Sequence, residues 1–277
     1  LGIACATGAR ADGLPPLRLA PRRRLPPGAP GTIEHAIASY KPKHVRPVDE
    51  GTLPSPRPGA RCPSDMANVE ERFCVDRYEG SLMERLADGT LAPHTPFEPP
   101  EDGHVYFARS VAGVLPQAYV SGEQAEAACR AVGKRLCQAV EWRVACAGTQ
   151  GFAWSYGPRR EPGRCNDSGK PPMLALFPPS GPNWKGWGLV ELNDPRADQL
   201  GHTLEKTGAR AGCANDLGVY DMVGNLHEWT ADRNGTFQGG YFLDTTENGE
   251  GCAYRTTAHH FRYHDYSTGF RCCADPR

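Results

Sequence analysis

With 277 residues, 39% apolar and 23% charged, the chain is long enough for one large domain or two small ones and apolar enough to bury a core. Its 32 glycines and 26 prolines favour a loop-rich fold over long helices. A formal net charge of -1 excludes bulk electrostatic attraction to nucleic acid or a membrane surface, and no run of about 18 apolar residues exists to form a spanning helix.

The first 60 residues differ in kind from the rest. Leu1-Gly2-Ile3-Ala4-Cys5 resembles the end of a lipoprotein signal, which makes Cys5 a candidate position for a lipid anchor. Leu14-Pro15-Pro16, Pro21-Arg22-Arg23-Arg24, Lys41-Pro42-Lys43 and Pro54-Ser55-Pro56-Arg57-Pro58 form a basic, proline-rich strip with little to bury. Such composition favours extended polyproline conformations that do not offset their own ordering entropy. Residues 1–60 are therefore expected to be an extended arm, either a flexible stalk or a strip laid on its own domain or a partner chain. The partner expected for it is another protein or a homo- or hetero-oligomeric assembly.

The globular part, 61–277, opens at Arg61-Cys62. Cys62 and, after Phe73, Cys74 stand in two short extended segments, spaced for a bridge that contributes about 2–3 kcal/mol. Ten of the eleven cysteines lie between Cys62 and Cys273, an even number without zinc-ribbon spacing. That pattern reads as disulfides in an oxidising compartment, so a secreted, periplasmic or cell-surface protein is expected.

Ser121 with Gln124 forms a capping box ahead of Ala125, Ala128, Cys129 and Val132, and Gly133 supplies the stop, which predicts one helix. A second is predicted from Gln138 to Ala147, ended by Gly148. From Gly151 to Gly218 no periodicity is sustained, so loops with short strands are expected there. No internal repeat is visible.

Further along, Gly133-Lys134-Arg135-Leu136 runs into Glu141-Trp142-Arg143, and the C-terminal part holds three linked motifs. They are Gly218-Val219-Tyr220-Asp221-Met222-Val223-Gly224-Asn225-Leu226-His227-Glu228-Trp229, then Gly239-Gly240-Tyr241-Phe242, then Gly269-Phe270-Arg271-Cys272. In this order they resemble the formylglycine-generating (sulfatase-modifying factor) family, a branch of the C-type-lectin-like folds. The resemblance spans about residues 62–275 and is weakest between Gly151 and Gly218. It implies a single α+β domain, loop-rich, with two helices, short strands and several disulfides.

The family's bridges, carried over, join Cys129 to Cys272 and Cys146 to Cys252. Cys165 with Cys213 is a further expectation, a clip across the loop region, which leaves Cys137 and Cys273. Connectivity among ten cysteines stays open at this level. Bridges closing loops this long contribute about 4–5 kcal/mol each on the chain-entropy model.

The family also implies calcium. One expected site is the turn Gly224, Asn225, Leu226 and Glu228, where side-chain oxygens and exposed carbonyls suit a hard cation. The competing reading is that Asn225 and Glu228 satisfy turn amides. A second site takes Asn166 and Asp167 with a later acid, either Asp194 of Asn193-Asp194 or Asp198; plain Asx-turns are the alternative.

The catalytic question turns on 239–252. The family binds copper with two thiolates, which are soft ligands for Cu(I), and oxidises a substrate cysteine. Here Asp244 stands at the first thiolate position, and the second falls in Glu247-Asn248-Gly249-Glu250. Carboxylates do not replace Cu(I) thiolates, and Cys252 is assigned to a bridge, so copper or iron chemistry is not expected. A residual oxidative reading places non-haem iron or zinc on His260, His264 and Asp265, as two histidines and a carboxylate. Asn166-Asp167-Ser168 and Asn234-Gly235-Thr236 are formal glycosylation sequons.

The expectation is therefore an extracytoplasmic, non-catalytic binding or structural module that docks on a partner through its arm and loops. The alternative is a metal-dependent oxidative enzyme of the same superfamily.

Overall fold

The computed structural model describes residues 24–39, 47–257 and 259–277. Cys5 and most of the arginine-rich run lie outside the described residues. The described parts of the strip lie on the domain. Thr32 caps a short helix, α1 (Ile33–Ser39), which buries Ile33 and Ala36. It is docked by backbone bonds: Ile33 N–H donates to the Gly151 carbonyl at 3.0 Å, and Ala153 N–H to that of Gly31 at 2.9 Å. An arm extended throughout is thus corrected at α1, because two apolar side chains three residues apart on one face outweigh the surrounding prolines. Further along, the Glu50 carbonyl accepts from Val140 N–H, while its carboxylate pairs with Arg143 and Arg255.

Next come β1 (Met66–Val69), β2 (Phe73–Asp76), β3 (Gly80–Arg85), β4 (Leu91–Pro93) and β5 (Tyr106–Ser110). Helix α2 (Gly122–Ala131) starts at the Ser121 cap, where Ser121 Oγ accepts from Gln124 N–H and Gln124 Oε1 from Ser121 N–H. It buries Ala125, Ala128 and Cys129. After β6 (Arg135–Leu136), α3 (Ala139–Ala147) is capped by Gln138, whose N–H donates to Glu141, and it ends at Gly148.

The loop region holds two helices beyond the two expected, α4 (Pro172–Leu176) and α5 (Leu189–Leu192). Pro172 presets the first turn of α4, and Glu191 accepts from Gly188 N–H in α5. Each is too short to show a period. The chain closes with β7 (His227–Trp229), β8 (Phe237–Gln238), β9 (Arg255–Thr256), β10 (Thr268–Phe270) and β11 (Cys272–Ala274).

These strands form three small sheets, ordered β1-β2-β11-β6, β10-β7-β8-β9 and β4-β3-β5. In the first, the C-terminal strand sits between two early ones, with Cys273 opposite Val75 and Cys272 opposite Leu136. Alternation along β11 sends its two cysteines to opposite faces, so Cys272 bridges to Cys129 on α2 while Cys273 bridges to Cys137. The remaining bridges are Cys62–Cys74, Cys146–Cys252 and Cys165–Cys213. Three of the five sit in one apolar core around Trp142 and Trp154; a second core gathers Trp229, Phe237, Phe261 and Phe270. The architecture is α+β and disulfide-bonded, and among the described residues no helix is long and apolar enough to cross a membrane.

Candidate functional site

Alternation along β7 organises the site. Glu228 faces one way, into a buried polar cluster, while His227 and Trp229 face the other, against Phe237. Arg271 is fully buried and grips Glu228 with Nε and Nη2, both at 2.6 Å; the Trp142 indole donates to the same carboxylate at 2.7 Å. Arg271 also donates to the carbonyls of Asp76 and Tyr220. Burial opposes its charge, but Glu228, Glu79 and Asp221 outweigh burial and hold its pKa above the ordinary value. Glu79 accepts from Asn225 Nδ2 at 2.6 Å and from Leu226 N–H at 3.2 Å. Burial raises the Glu79 pKa well above the usual carboxylate range, with Asp221 and Glu228 adding to it.

This cluster decides the first calcium expectation. Both Glu228 oxygens are committed to a guanidinium, and Asn225 Oδ1 accepts from Asn166 Nδ2 and from Glu205 N–H, each at 2.9 Å. The Asn225 carbonyl accepts from Phe242 N–H. The Gly224, Asn225, Leu226 and Glu228 set therefore does not fit a calcium ion, because its side-chain acceptors face protein donors and its countercharge is Arg271. Gly224 has its own reason to be there: with φ +81°, an added Cβ would stand 2.2 Å from the Asn166 carbonyl oxygen.

The second calcium set divides. The structure brings Asn166 against Asn225, and Asn166 Nδ2 also donates to the Thr203 carbonyl at 2.7 Å. Asp167 pairs with Arg160 and accepts from Gly163 N–H, four residues earlier, and from Ser168 Oγ. Asp194 is held by Arg196. Asp198 is different: it is 4% exposed, and neither carboxylate oxygen has a hydrogen-bond partner. Burial raises its pKa far above the ordinary value, with nearby Asp265 adding to the effect. Of the two later acids, only Asp198 keeps hard oxygen donors open to a cation.

Beyond β7 lies a cavity of about 390 Å³. The Gly239-Gly240 turn shapes its rim, both glycines having positive φ; a Cβ on Gly240 would sit 2.2 Å from the Asp244 carbonyl oxygen. That approach lets Tyr241 and Asp244 exchange backbone bonds of 2.9 and 3.1 Å, which sets Asp244 in the wall. Asp244 Oδ1 accepts from Thr246 and Glu247 N–H at 2.8 and 3.0 Å. Among the described residues no cysteine lines the cavity, and Cys252, the nearest in sequence, is bonded to Cys146.

His227 is a wall residue that sequence reasoning left without a role. Its ring lies 4.7 Å from those of Phe237 and Tyr241 and contacts Ser267 Oγ and Tyr254 OH. Burial pushes its pKa down to about 3, so the imidazole is neutral at physiological pH. The only signal for it in sequence is its place beside Glu228 on the same short strand.

The two-histidine-one-carboxylate expectation is corrected. His260 Nδ1 accepts from Arg262 N–H, His264 Nδ1 contacts Asn193 Oδ1 at 2.7 Å, and Asp265 accepts from Ser267 and Tyr263. The three side chains are committed to separate partners. Among the described residues no group of three His, Cys, Asp or Glu side chains is placed to hold a metal.

Residues 98–276 match the family model described as "Sulfatase-modifying factor enzyme 1-like domain". The chain is also similar to "Inactive C-alpha-formylglycine-generating enzyme 2" of Bos taurus, at 28% identity over 171 residues, covering 58% of this chain and 50% of that protein. The Mus musculus protein of the same name is 28% identical over 174 residues, covering 58% and 49%. The chain thus spans about half the length of these relatives.

Proposed function

Because the chain belongs to the sulfatase-modifying factor enzyme 1-like family yet has a carboxylate where that family's redox thiol is expected, we propose that it is a non-catalytic binding module working outside the cytoplasm. The observation that carries this is Asp244 in the wall of a cavity that no cysteine lines among the described residues, while Cys252 is spent in a disulfide. A hard carboxylate does not hold Cu(I), so the step requiring two soft sulfurs has no ligands here. Both relatives are named as inactive enzymes, which supports the same reading. Five disulfides support an oxidising compartment. Docking on a protein partner runs through residues 1–60 and the loops, in this reading.

Calcium enters the proposal at one residue. Asp198 would supply the charged donor, because its two buried oxygens are without a partner. A bound ion would act there as a structural countercharge.

The test of the non-catalytic reading is direct. A cysteine-containing peptide incubated with the chain, Cu(I), a thiol reductant and oxygen is expected to keep its cysteine by mass spectrometry. Turnover of that cysteine to an aldehyde, dependent on the chain, would end this reading.

A further inference from the structure

Resting on the binding-module reading, the geometry points to an organic cation, an alkylammonium group of the size of a lysine side chain, as the ligand of the cavity beside Asp244. Charge is the first argument. Asp244, Glu247 and Asp265 line the cavity, and among the described residues no lysine or arginine does. The nearest arginines in sequence are committed elsewhere: Arg255 to Glu50 and Arg262 to Glu123. The hydrogen bonds to Asp244 come from Thr246, Glu247 and the Tyr254 phenol, and those to Asp265 from Ser267 and Tyr263, all neutral donors. These bonds orient the carboxylates and leave their charge uncompensated.

The second argument is independent of the first and concerns the walls. Tyr241, Tyr254 and Tyr266 line the same space, with the neutral His227 ring stacked on Tyr241 at 4.7 Å. Tyr241 and Tyr266 meet edge to face at 6.2 Å. Burial pushes the Tyr241 phenol up to about 12, and burial likewise raises Tyr254 and Tyr266, so the phenols stay neutral and their rings electron-rich. Aromatic faces attract ammonium groups that have been stripped of water, whereas a small inorganic ion needs converging oxygens instead. An anion meets repulsion from three carboxylates, and an uncharged ligand leaves them unpaired. At about 390 Å³ the space suits a side-chain-sized group.

The experiment uses the disulfide-intact chain and NMR titration with n-butylammonium, Nα-acetyl-lysine amide, n-butanol and n-butyrate. Saturable shifts confined to the amides around Tyr241–Asn248 and Asp265–Ser267 are expected with the two amines and none with butyrate. Glu247→Gln, at an exposed side chain, is expected to weaken amine binding roughly threefold, and Tyr241→Leu, which removes a ring, roughly tenfold. Stronger binding of the lysine amide than of butylammonium assigns the group to a peptide; the reverse assigns it to a free amine. The assignment is overturned if the folded chain shows no saturable amine shifts, if butanol binds as well as the amine, or if Glu247→Gln and Tyr241→Leu both leave amine binding unchanged. Any of these results with the cysteine peptide still intact sinks the ligand class alone; conversion of the peptide sinks the module reading instead.

Discussion

Arg271 has no access to water, and its charge survives because Glu228 meets it with two short bonds. Breaking such a pair from one side costs about 3–5 kcal/mol, since the other charge is left buried. The surrounding acids carry the surplus. Burial, with Glu228 and Glu205 adding to it, pushes Asp221 up to about 6, against the Gly208 N–H and Arg271. A raised folded-state pKa means that the folded chain binds this proton more tightly than the unfolded one. Stability from this group is therefore full below about pH 4 and is lost as pH rises through about 6. Asp221→Asn keeps an oxygen for Gly208 and tolerates the φ of +57° at this position. Urea melts should show the variant equal to wild type near pH 4 and about 2–3 kcal/mol more stable at pH 8. Equal stability at both pH values would contradict the assignment.

Asp198 is a second uncompensated buried carboxylate, with a raised pKa of the same sign. In chelator at pH 8, Asp198→Asn is expected to be more stable than wild type by about 1–3 kcal/mol, a rise of several degrees in Tm. Calcium should then raise the Tm of wild type and leave the variant unmoved. A calcium shift of equal size in both would remove Asp198 from the site.

Elements were legible where their signals are local. Ser121 with Gln124 marks a helix start that depends on residues three apart, and Gln138 and the Gly148 stop bound the second helix. The chain folds so at both, the Gln138–Glu141 cap being found only in the structure. The bridges Cys129–Cys272 and Cys146–Cys252 came through the resemblance rather than from spacing, and the structure joins these same pairs. What was not legible is long-range or short. Trp142, Glu228 and Arg271 are all motif residues, yet nothing in the string says that two of them share the third's carboxylate. That contact closes 86 and 43 residues of chain, and it removes the turn's fitness for calcium. Helix α1 was hidden by its proline-rich flanks. Its docking is testable through Ile33→Ala, which removes buried methyl groups and is expected to cost about 2 kcal/mol. Hydrogen exchange should speed up at Ile33 and Ala153, whose N–H groups bond across the junction. Unchanged exchange at both would mean that the strip is not held there.

On the scale of the whole molecule, the chain is a loop-rich body cross-linked at five places, with a carboxylate-lined cavity beside Asp244. Small sheets and short helices bury limited surface each, so covalent closure of long loops supplies rigidity that secondary structure does not. Every cysteine from Cys62 to Cys273 is used in that closure, so none of these ten remains for redox chemistry at the cavity. Thiol labelling of the unreduced chain in denaturant, with peptide mapping, tests this most directly. None of those ten cysteines should take the label; a labelled Cys146 or Cys252, above all one that Cu(I) protects in the native chain, would contradict the account.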